Sequence, residues 1–324
     1  MSFGLLAALL SAAAPEAWSL PAARPCSAEE VRDLTADATT PFRLRCRATL
    51  TQDQSVSRPV LIEGAEASGA GLDCGGGRLG RPGVPTTTRS PTVAVWSRRI
   101  AADVWSRPTD IRIANCHIHG AVRVWGMGAD GSYDDLRASS RTARHIQTAQ
   151  DAAPRQVALD QVTIEGTGSI PLYVGPGVTQ LSLTRSTLTG RSASTAVYLD
   201  AESADNRIEN NRIAVRTTRE AVAVDGSARN LITGNRIELS GRGGVFLYRN
   251  CGERGVIRHQ TPSDNRITDN LFTGAARLRP RLVVVGAREG RRSYCGADRG
   301  YPFGSSLDDG DGATGNVVAR NLNR

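Results

Sequence analysis

The chain has 324 residues, of which 40% are hydrophobic, 22% are charged and 5% are aromatic. This composition excludes a disordered chain, which would have fewer apolar residues, and a polytopic membrane protein, which would have fewer charges. All 40 basic residues are arginine, against 32 acidic residues, so the formal net charge is +8. The charge favours acidic partners only weakly, although the planar guanidinium group suits carboxylates and phosphates.

The first 23 residues are typical of an export signal. An apolar run rich in Ala and Leu extends from Leu5 to Ala14, and Ala-rich cleavage positions follow it up to Ala23. The run is too short to span a bilayer, so a cleaved signal peptide is favoured over an anchor, although no positive charge precedes Leu5. The sequence therefore predicts a secreted or periplasmic protein without a membrane span.

A short helix is predicted close to the N-terminus. Ser27 and Glu30 have the spacing of a capping box, in which each side chain bonds the other residue's backbone amide. Residues 24–54 are accordingly treated as a segment separate from the remainder of the chain.

Six cysteines occur singly, and none forms the Cys-x-x-Cys pair that would suggest zinc. Their even number favours structural disulfides in an oxidising compartment. The pairs predicted are Cys26–Cys46 and Cys251–Cys295. Cys74 and Cys116 either form a third pair or are buried thiols.

A short phrase with alternating polar and apolar residues recurs along the chain. Its copies begin at Ile111, Val157, Leu181, Asn206, Leu231, Asn265 and Asn316. A second phrase lies between some of these copies, and its spacings are 25, 25 and 23 residues, with starts at Pro171, Ala196, Ala221 and Gly244. A period of this length built from strands predicts a solenoid, in which stacked coils bury each other's apolar faces.

An asparagine recurs at one turn of the first phrase, as Asn211, Asn235, Asn270 and Asn321. Stacked asparagines at a turn form an amide ladder and tolerate the left-handed backbone conformation. We interpret these residues as structural rather than ligand-binding.

The two phrases resemble the repeats of right-handed parallel β-helix proteins of the pectate-lyase-like superfamily. The resemblance covers roughly residues 55–324 and implies an all-β fold, a single-stranded right-handed parallel β-helix. Residues 24–54 would cap its N-terminal end, because the core would otherwise face water there.

Two insertions interrupt the predicted coils. The first, at about 127–153, is polar and helix-permissive after Tyr133. It is interpreted either as a lid or shoulder beside a binding face or as an ordinary excursion loop. The second, at about 286–315, is rich in Arg, Gly and Asp and is expected to contain one half of a disulfide.

Strand alternation assigns the side chains of the second phrase to two faces. Val197 and Leu199 point into the core, so Tyr198 and Asp200 point outward. The outward column predicted in this way consists of Trp96, Trp125, Tyr173, Tyr198, Asp200, Glu202, Asp225 and Tyr248, with Arg123 beside Trp125. Aromatic rings stack on sugars and carboxylates bond hydroxyls or transfer protons, so the column indicates a long, shallow glycan-binding face.

Three carboxylates of this column are the predicted acid–base or cation cluster. Asp200 and Asp225 are expected to lie ~4.8 Å apart on neighbouring coils, and Glu202 ~6.5 Å from Asp200 on the same face. In a hydrolase, one carboxyl protonates the leaving oxygen while another activates water. In a lyase, Asp200 and Asp225 would hold Ca²⁺ against a uronate while an Arg or Tyr takes the C5 proton.

In a third, structural alternative, arginines of adjacent coils neutralise the acids. Those considered are Arg219, Arg229 and Arg249.

The segment after Tyr248 is dense in charged residues and completes the predicted site. Arg249 and Arg258 would bind a uronate, and His259 would shuttle a proton. The predicted catalytic residues are Asp200, Glu202, Asp225 and His259. The predicted substrate-binding residues are Trp125, Tyr198, Tyr248, Arg249, Glu253 and Arg258.

His117 and His119 alternate on a strand of the first phrase. We interpret them as surface or core side chains rather than metal ligands, because no acidic residue accompanies them locally.

The motifs of individual enzyme families are missing from this chain. The outward column lacks the Asn-Thr-Asp, Asp-Asp and Gly-His-Gly patterns of polygalacturonases, and the chain lacks the Asp-Pro-His-Asp signature of mannuronan epimerases. No family's catalytic residues are therefore carried over.

The sequence predicts an exported, monomeric β-helix protein that binds a polysaccharide and cleaves it by lyase or hydrolase chemistry. Ca²⁺ is the one cofactor considered, and nucleic acid is not a predicted partner. The alternative is a non-catalytic β-helix that binds glycans or serves as a cell-surface scaffold. It predicts that the three acids each pair with arginine. The enzyme hypothesis predicts an open cleft between the insertion near Asp130 and the loop at Glu253, with at least one carboxyl pKa raised.

Overall fold

The computed structural model describes residues 23–129, 131, 133–274, 280–289 and 299–324. Within these ranges the chain forms a right-handed parallel β-helix, as the repeats predict. Each coil contributes one short strand to each of three parallel nine-stranded sheets.

The strands are, in chain order, β1 (Phe42–Arg43), β2 (Arg47–Thr49), β3 (Ser55–Val56), β4 (Val60–Glu63), β5 (Gly71–Asp73), β6 (Arg78–Leu79), β7 (Val93–Trp96), β8 (Arg98–Ala101), β9 (Val104–Ser106), β10 (Thr109–Ala114), β11 (His117–His119), β12 (Val122–Trp125), β13 (Arg155–Asp160), β14 (Thr163–Gly168), β15 (Leu172–Val174), β16 (Ser182–Thr184), β17 (Thr187–Ser192), β18 (Val197–Leu199), β19 (Arg207–Glu209), β20 (Arg212–Ile213), β21 (Glu220–Asp225), β22 (Leu231–Thr233), β23 (Arg236–Glu238), β24 (Gly243–Tyr248), β25 (Arg266–Thr268), β26 (Leu271–Thr273), β27 (Val283–Val285), β28 (Val317–Ala319) and β29 (Leu322–Asn323).

Sheet 1 has the order β1-β4-β7-β12-β15-β18-β21-β24-β27, and sheet 2 has the order β2-β5-β10-β13-β16-β19-β22-β25-β28. Sheet 3 has the order β29-β26-β23-β20-β17-β14-β11-β6-β3, and β8 and β9 form an antiparallel ribbon outside the coils. The helices are α1 (Ala28–Thr35), α2 (Asp134–Ser140), α3 (His145–Ala152) and α4 (Gly304–Leu307), with 3₁₀ turns at Ala65–Ala67 and Glu253–Gly255. Among the described residues, no helix is both long and apolar enough to cross a membrane.

The interior of the coils is apolar because every second strand residue points inward. In sheet 1, for example, Val197, Val222 and Val245 lie side by side on β18, β21 and β24, and none of them is exposed. Tyr198 and Phe246, one position further along these strands, belong to a separate cluster on the outward side. The alternation predicted for these strands is therefore confirmed.

Helix α1 covers the N-terminal end of the coils. Ser27 and Glu30 form the predicted capping box, and Leu34 is fully buried against the core. The first coil begins with β1 at Phe42, inside the segment 24–54 that the sequence assigned to the cap.

Disulfides fasten the first coils. The predicted Cys26–Cys46 bond is present, and Cys74 and Cys116 form a second disulfide rather than remaining thiols. Cys251 is buried and disulfide-bonded, whereas Cys295 lies outside the described residues, so that pairing stays a prediction. The export signal predicted for residues 1–23 also lies outside the described residues, except for its last residue.

The asparagine ladder is formed as predicted. Asn211 Nδ2 donates to Asn235 Oδ1 (3.0 Å), Asn235 Nδ2 to Asn270 Oδ1 (2.9 Å), and Asn270 Nδ2 to Asn321 Oδ1 (2.9 Å). The left-handed turn residue is not the ladder asparagine, however, but the residue before it, as at Asn210 with φ 57°.

A second ladder, which the sequence analysis missed, follows another turn through Asn206, Asn230, Asn265 and Asn316. Each link is an asparagine side-chain amide that donates to the amide oxygen of the next coil, as in the first ladder.

Replacing Asn235 with alanine is expected to lower the free energy of unfolding by about 1–3 kcal/mol. Its buried Oδ1 accepts from the backbone and side-chain amides of Asn211, both at 3.0 Å, and the variant leaves these donors unsatisfied. Asn323→Ala, at an exposed position of β29, is the matched control and should change little. Equal stability of the two variants in urea unfolding would contradict a stabilising role of the ladder.

The insertion at 127–153 forms α2 and α3, which pack over the outward side of sheet 1. The α3 side chain Gln150 donates to the backbone oxygen of Glu202 (2.9 Å), and Ser140 of α2 accepts from the backbone amide of Ile257 (3.0 Å). Gly177 allows the close approach of α3, since a Cβ atom there would lie 2.2 Å from the Ala149 oxygen. Of the two interpretations, the structure favours a cover over this face.

Candidate functional site

A pocket of about 340 Å³ lies between the outward side of sheet 1 and the covering segments. We call it the face pocket. Its lining includes Arg123, Trp125, Tyr133, Leu136, His145, Tyr173, Tyr198, Asp200, Glu202, Arg219, Val256 and Arg258. The predicted long, shallow face is therefore a covered pocket, because α2, α3 and residues 252–258 lie over the outward column.

Asp200 and Asp225 lie at equivalent positions of neighbouring coils, one residue beyond the paired Leu199 and Val224. Arg258 binds both of them, with its Nη1 2.5 Å from Asp200 Oδ1 and 3.1 Å from Asp225 Oδ2. Burial works against its charge, but the two carboxylates raise the pKa of Arg258 well above its usual value. The cation that pairs with both acids is therefore Arg258, which lies in the loop after β24. It is not one of the three arginines considered from the sequence, Arg219, Arg229 and Arg249.

Two tyrosines complete the surroundings of these acids. Tyr173 donates its hydroxyl proton to Asp200 and Tyr198 donates to Asp225, and Asn250 adds a backbone amide bond to Asp225 (2.8 Å). Burial, followed by the adjacent carboxylates, raises the pKa of both tyrosines well above the usual value. They are therefore hydrogen-bond donors at neutral pH and poor proton acceptors.

The same contacts decide whether Asp200 and Asp225 could serve as ligands of Ca²⁺. A calcium site needs six to eight oxygen ligands around the ion. Arg258 already lies against one oxygen of each carboxylate, and the tyrosine hydroxyls donate to them. In this arrangement the pair does not fit a calcium site.

Glu202 lies close to Asp200 and Asp225, but strand alternation is not the reason. The strand β18 ends at Leu199 and Glu202 occupies a left-handed turn with φ 61°, so strand alternation does not carry over to it. Its carboxyl accepts from the backbone amides of His259 (2.7 Å) and Gln260 (3.0 Å), and the residue is 1% exposed. Burial outweighs these bonds and raises the pKa of Glu202 to about 7.

His145, on α3, faces Glu202 across the wall of the pocket. Its Nε2 lies 3.8 Å from Glu202 Oε1, and its Nδ1 lies 3.0 Å from the Ser139 hydroxyl. Burial, and secondarily His259, lower the pKa of His145 to about 3. Between about pH 3 and pH 7 both His145 and Glu202 are thus neutral, and their contact is not an ion pair.

His259 lies behind His145 rather than in the face pocket. The two ring centroids are 5.0 Å apart, and the His259 ring also stacks on Phe303. Its Nε2 is 2.6 Å from the Ser140 carbonyl oxygen and so carries a proton toward it. Of the predicted catalytic residues, Asp200 and Glu202 line the face pocket, while Asp225 and His259 support it from behind.

Arg123 is a buried cation of the face pocket that packs against aromatic rings. It is 4% exposed, and its guanidinium lies 4.6 Å from the centroid of the Tyr173 ring and 5.7 Å from that of Trp125. Among the described residues it makes no ion pair, and its buried Nε has no hydrogen-bond partner. Burial is the main reason that the pKa of Arg123 is lowered.

The predicted substrate-binding residues divide into two groups. Trp125, Tyr198 and Arg258 line the face pocket. Tyr248 does not, because it is 1% exposed, bonds Glu220 (2.8 Å) and is no stacking platform. Arg249 is instead bonded to Asp308 (2.7 Å), and it anchors the second insertion.

The side chain of Glu253 and the residue Asp130 lie outside the described part of the structure, so the role predicted for that loop stays a prediction.

His145 was not predicted from the sequence. Arg123 and Tyr173 were placed in the outward column but were not named among the predicted site residues. The chain has four histidines, and His145 lies in the helix-permissive part of the insertion. This rare residue type in an insertion beside the outward column was the signal that could have identified it. The enzyme hypothesis and the scaffold hypothesis are each met in part. Asp200 and Asp225 pair with arginine, as the scaffold hypothesis predicts, and Glu202 has a raised pKa, as the enzyme hypothesis predicts.

Comparison with known proteins gives likenesses of two kinds, to a protein family and to solved structures. Residues 174–278, less than half of the chain, match the family described as periplasmic copper-binding protein (NosD). Among solved structures, the chain is similar to an alginate lyase from Paenibacillus sp. str. FPU-7, with 11% identity, 88% of each chain covered and a TM-score of 0.35. A likeness at this level says nothing about the activity of this chain. No match is found among curated proteins.

Proposed function

We propose that the protein is an exported β-helix protein that binds an acidic sugar unit of a polysaccharide in the face pocket and cleaves the chain there. The observation that carries the proposal is Arg123, a buried cation of the pocket wall with no anionic partner among the described residues. A buried charge of this kind costs folding free energy, and a bound carboxylate would compensate it.

The aromatic rings around Arg123 suit a sugar. Trp125 and Tyr173 are 5.4 Å apart between ring centroids, and Tyr173 stacks on Tyr198 at 5.8 Å. Flat rings pack against the apolar face of a pyranose, while the guanidinium binds its carboxylate in a bidentate manner. A pocket of about 340 Å³ has the size of a small-ligand site rather than of a long groove.

Glu202 is the proposed proton donor. Its pKa of about 7 keeps the carboxyl protonated in weakly acidic solution, as a general acid requires. In hydrolysis, its proton passes to the glycosidic oxygen as the C1–O bond breaks, and the water that adds to C1 releases a proton that restores the Glu202 carboxyl. In β-elimination, the Glu202 proton passes to the leaving oxygen as the C4–O bond breaks. The C5 proton passes to water, because the lowered pKa of His145 makes its imidazole a weak base.

The alternative is a non-catalytic glycan-binding scaffold. It is supported by the Arg258 contacts, which leave neither Asp200 nor Asp225 free to act as a base or a cation ligand. Under this alternative the pocket binds the acidic sugar without cleaving it.

A panel of neutral and uronate-containing polysaccharides tests the proposal. Ultraviolet absorbance that rises with time would identify β-elimination, and new reducing ends without that absorbance would identify hydrolysis. Binding of uronate polysaccharides without either product would favour the scaffold, and the absence of both binding and cleavage would overturn the proposal.

Replacing Arg123 with methionine is expected to weaken the binding of uronate oligosaccharides by about 10- to 100-fold, because a charge-assisted bond is lost. The melting temperature should stay the same or rise, since the variant removes a buried charge that makes no ion pair with any described residue. Arg112→Met, at an exposed position of sheet 2, is the matched control for removal of a cation. Unchanged affinity with a lower melting temperature would instead make Arg123 a structural residue.

A further inference from the structure

Two histidines and a glutamate meet on the outer surface of sheet 3. His117 and His119 lie on β11, and the register of the sheet pairs His119 with Glu165 on β14 of the next coil. Ile118, between the two histidines, points into the core and is fully buried. The acidic neighbour that is missing close by in the sequence is thus supplied by the following coil, 46 positions further along from His119 to Glu165.

The three side chains offer ligand atoms at close range. Glu165 Oε2 lies 2.9 Å from His119 Nδ1 and 3.8 Å from His117 Nε2, and one ligand atom from each residue lies within 4.8 Å of the others. The two imidazole rings are stacked with centroids 4.5 Å apart. Around a tetrahedral metal ion with metal–ligand bonds of ~2.0–2.1 Å, neighbouring ligand atoms lie about 3.3 Å apart. The two distances from Glu165 Oε2 to the histidine nitrogens lie on either side of this value.

An independent observation at His119 also indicates a bound metal ion. It is 6% exposed, and within the described ranges neither of its ring nitrogens makes a hydrogen bond. Glu165 Oε2 is close to Nδ1 but does not lie where a ring N–H would donate to it. Burying an imidazole without partners is costly, and a metal–nitrogen bond would supply one.

We propose that His117, His119 and Glu165 bind a divalent transition-metal ion of the Zn²⁺ and Cu²⁺ type. Two imidazoles and one carboxylate suit these ions, whereas Ca²⁺ and Mg²⁺ prefer sites built from oxygen ligands. His117 and Glu165 are 40% and 44% exposed in their side chains, so the ion has a direct path from solvent. Positions on that side remain for water or an external ligand.

The site is independent of the face pocket. It lies on sheet 3 rather than sheet 1 and shares no residue with the pocket lining. The segment that matches the copper-binding family, 174–278, contains none of its three residues. Because the ligands come from two neighbouring coils, a bound ion would link β11 to β14 and stabilise the folded state.

Titration of the tag-free, metal-free protein with Zn²⁺ and, separately, Cu²⁺ tests the proposal by calorimetry and by melting temperature. We expect one ion to bind at this site and to raise the melting temperature, while Ca²⁺ does neither. His117→Gln and Glu165→Gln should each weaken binding at least about tenfold, since loss of a residue that merely supports a ligand already costs 10- to 100-fold. Both positions are well exposed, so the variants should fold without metal.

Glu238→Gln is the matched control. Glu238 follows the buried Ile237 on β23 just as Glu165 follows the buried Ile164 on β14, and both strands belong to sheet 3. It should bind both ions like the native protein. The proposal is overturned if neither ion binds, or if the His117 and Glu165 variants bind as tightly as the native protein.

Discussion

Replacement of Arg258 by methionine is expected to lower the free energy of unfolding by about 3–5 kcal/mol, because two buried carboxylates lose their cation. The side chains of Arg258, Asp200 and Asp225 are 12%, 8% and 0% exposed, so solvent cannot take over the role of the guanidinium. Urea unfolding at neutral pH measures the loss.

The control for this variant is Arg320→Met. Arg320 also binds an aspartate, Asp269 at 2.6 Å, but the two side chains are 68% and 43% exposed. Water screens an exposed ion pair, so this variant should be nearly neutral. Adding Asp200→Asn and Asp225→Asn to Arg258→Met should recover part of the loss, and losses of equal size in the two single variants would contradict the buried bridge.

Glu202 is expected to make stability fall as the pH rises from about 4.5 to about 7. Its pKa is about 7 in the folded protein against an ordinary value of 4.5, so over this range the folded state holds a proton that the unfolded state has lost. The contribution is fully present below pH 4.5 and is gone above pH 7. It amounts to on the order of 3 kcal/mol, from 1.36 kcal/mol per pKa unit.

The measurement compares native protein with Glu202→Gln across this pH range. Glutamine does not titrate, so its lost or altered bonds to His259 and Gln260 add only a constant offset. The native-minus-variant stability should therefore decrease with pH, whereas Glu238→Gln, at an exposed position, should leave the native profile unchanged. A flat difference curve for Glu202→Gln would mean that the carboxyl is ionised throughout.

The same variant has a consequence for catalysis under the proposed function. Loss of a general acid should reduce polysaccharide cleavage by about 10²- to 10⁴-fold while uronate binding persists. Cleavage by the native protein should decline above about pH 7, where Glu202 is deprotonated. A scaffold would show the stability profile of Glu202 without any cleavage to lose.

The sequence by itself determined the coils, because the code of a β-helix is local and periodic. The recurring apolar anchors, the ladder asparagines and the alternation around Val197 and Tyr198 each concern residues within one coil or at fixed steps between coils. Stacking is then required, since no coil can bury its apolar side alone. The capping box at Ser27 is local in the same sense.

Only the tertiary structure decided what lies over and between the coils. Arg258 reaches Asp200 across 58 positions of sequence, and His145 faces Glu202 from an insertion that carries no repeat. The turn at Glu202 broke the strand on which alternation relied. Insertions are not bound by the period of the coils, so neither their docking nor the burial and pKa shifts that they impose on the outward column can be read from spacing alone.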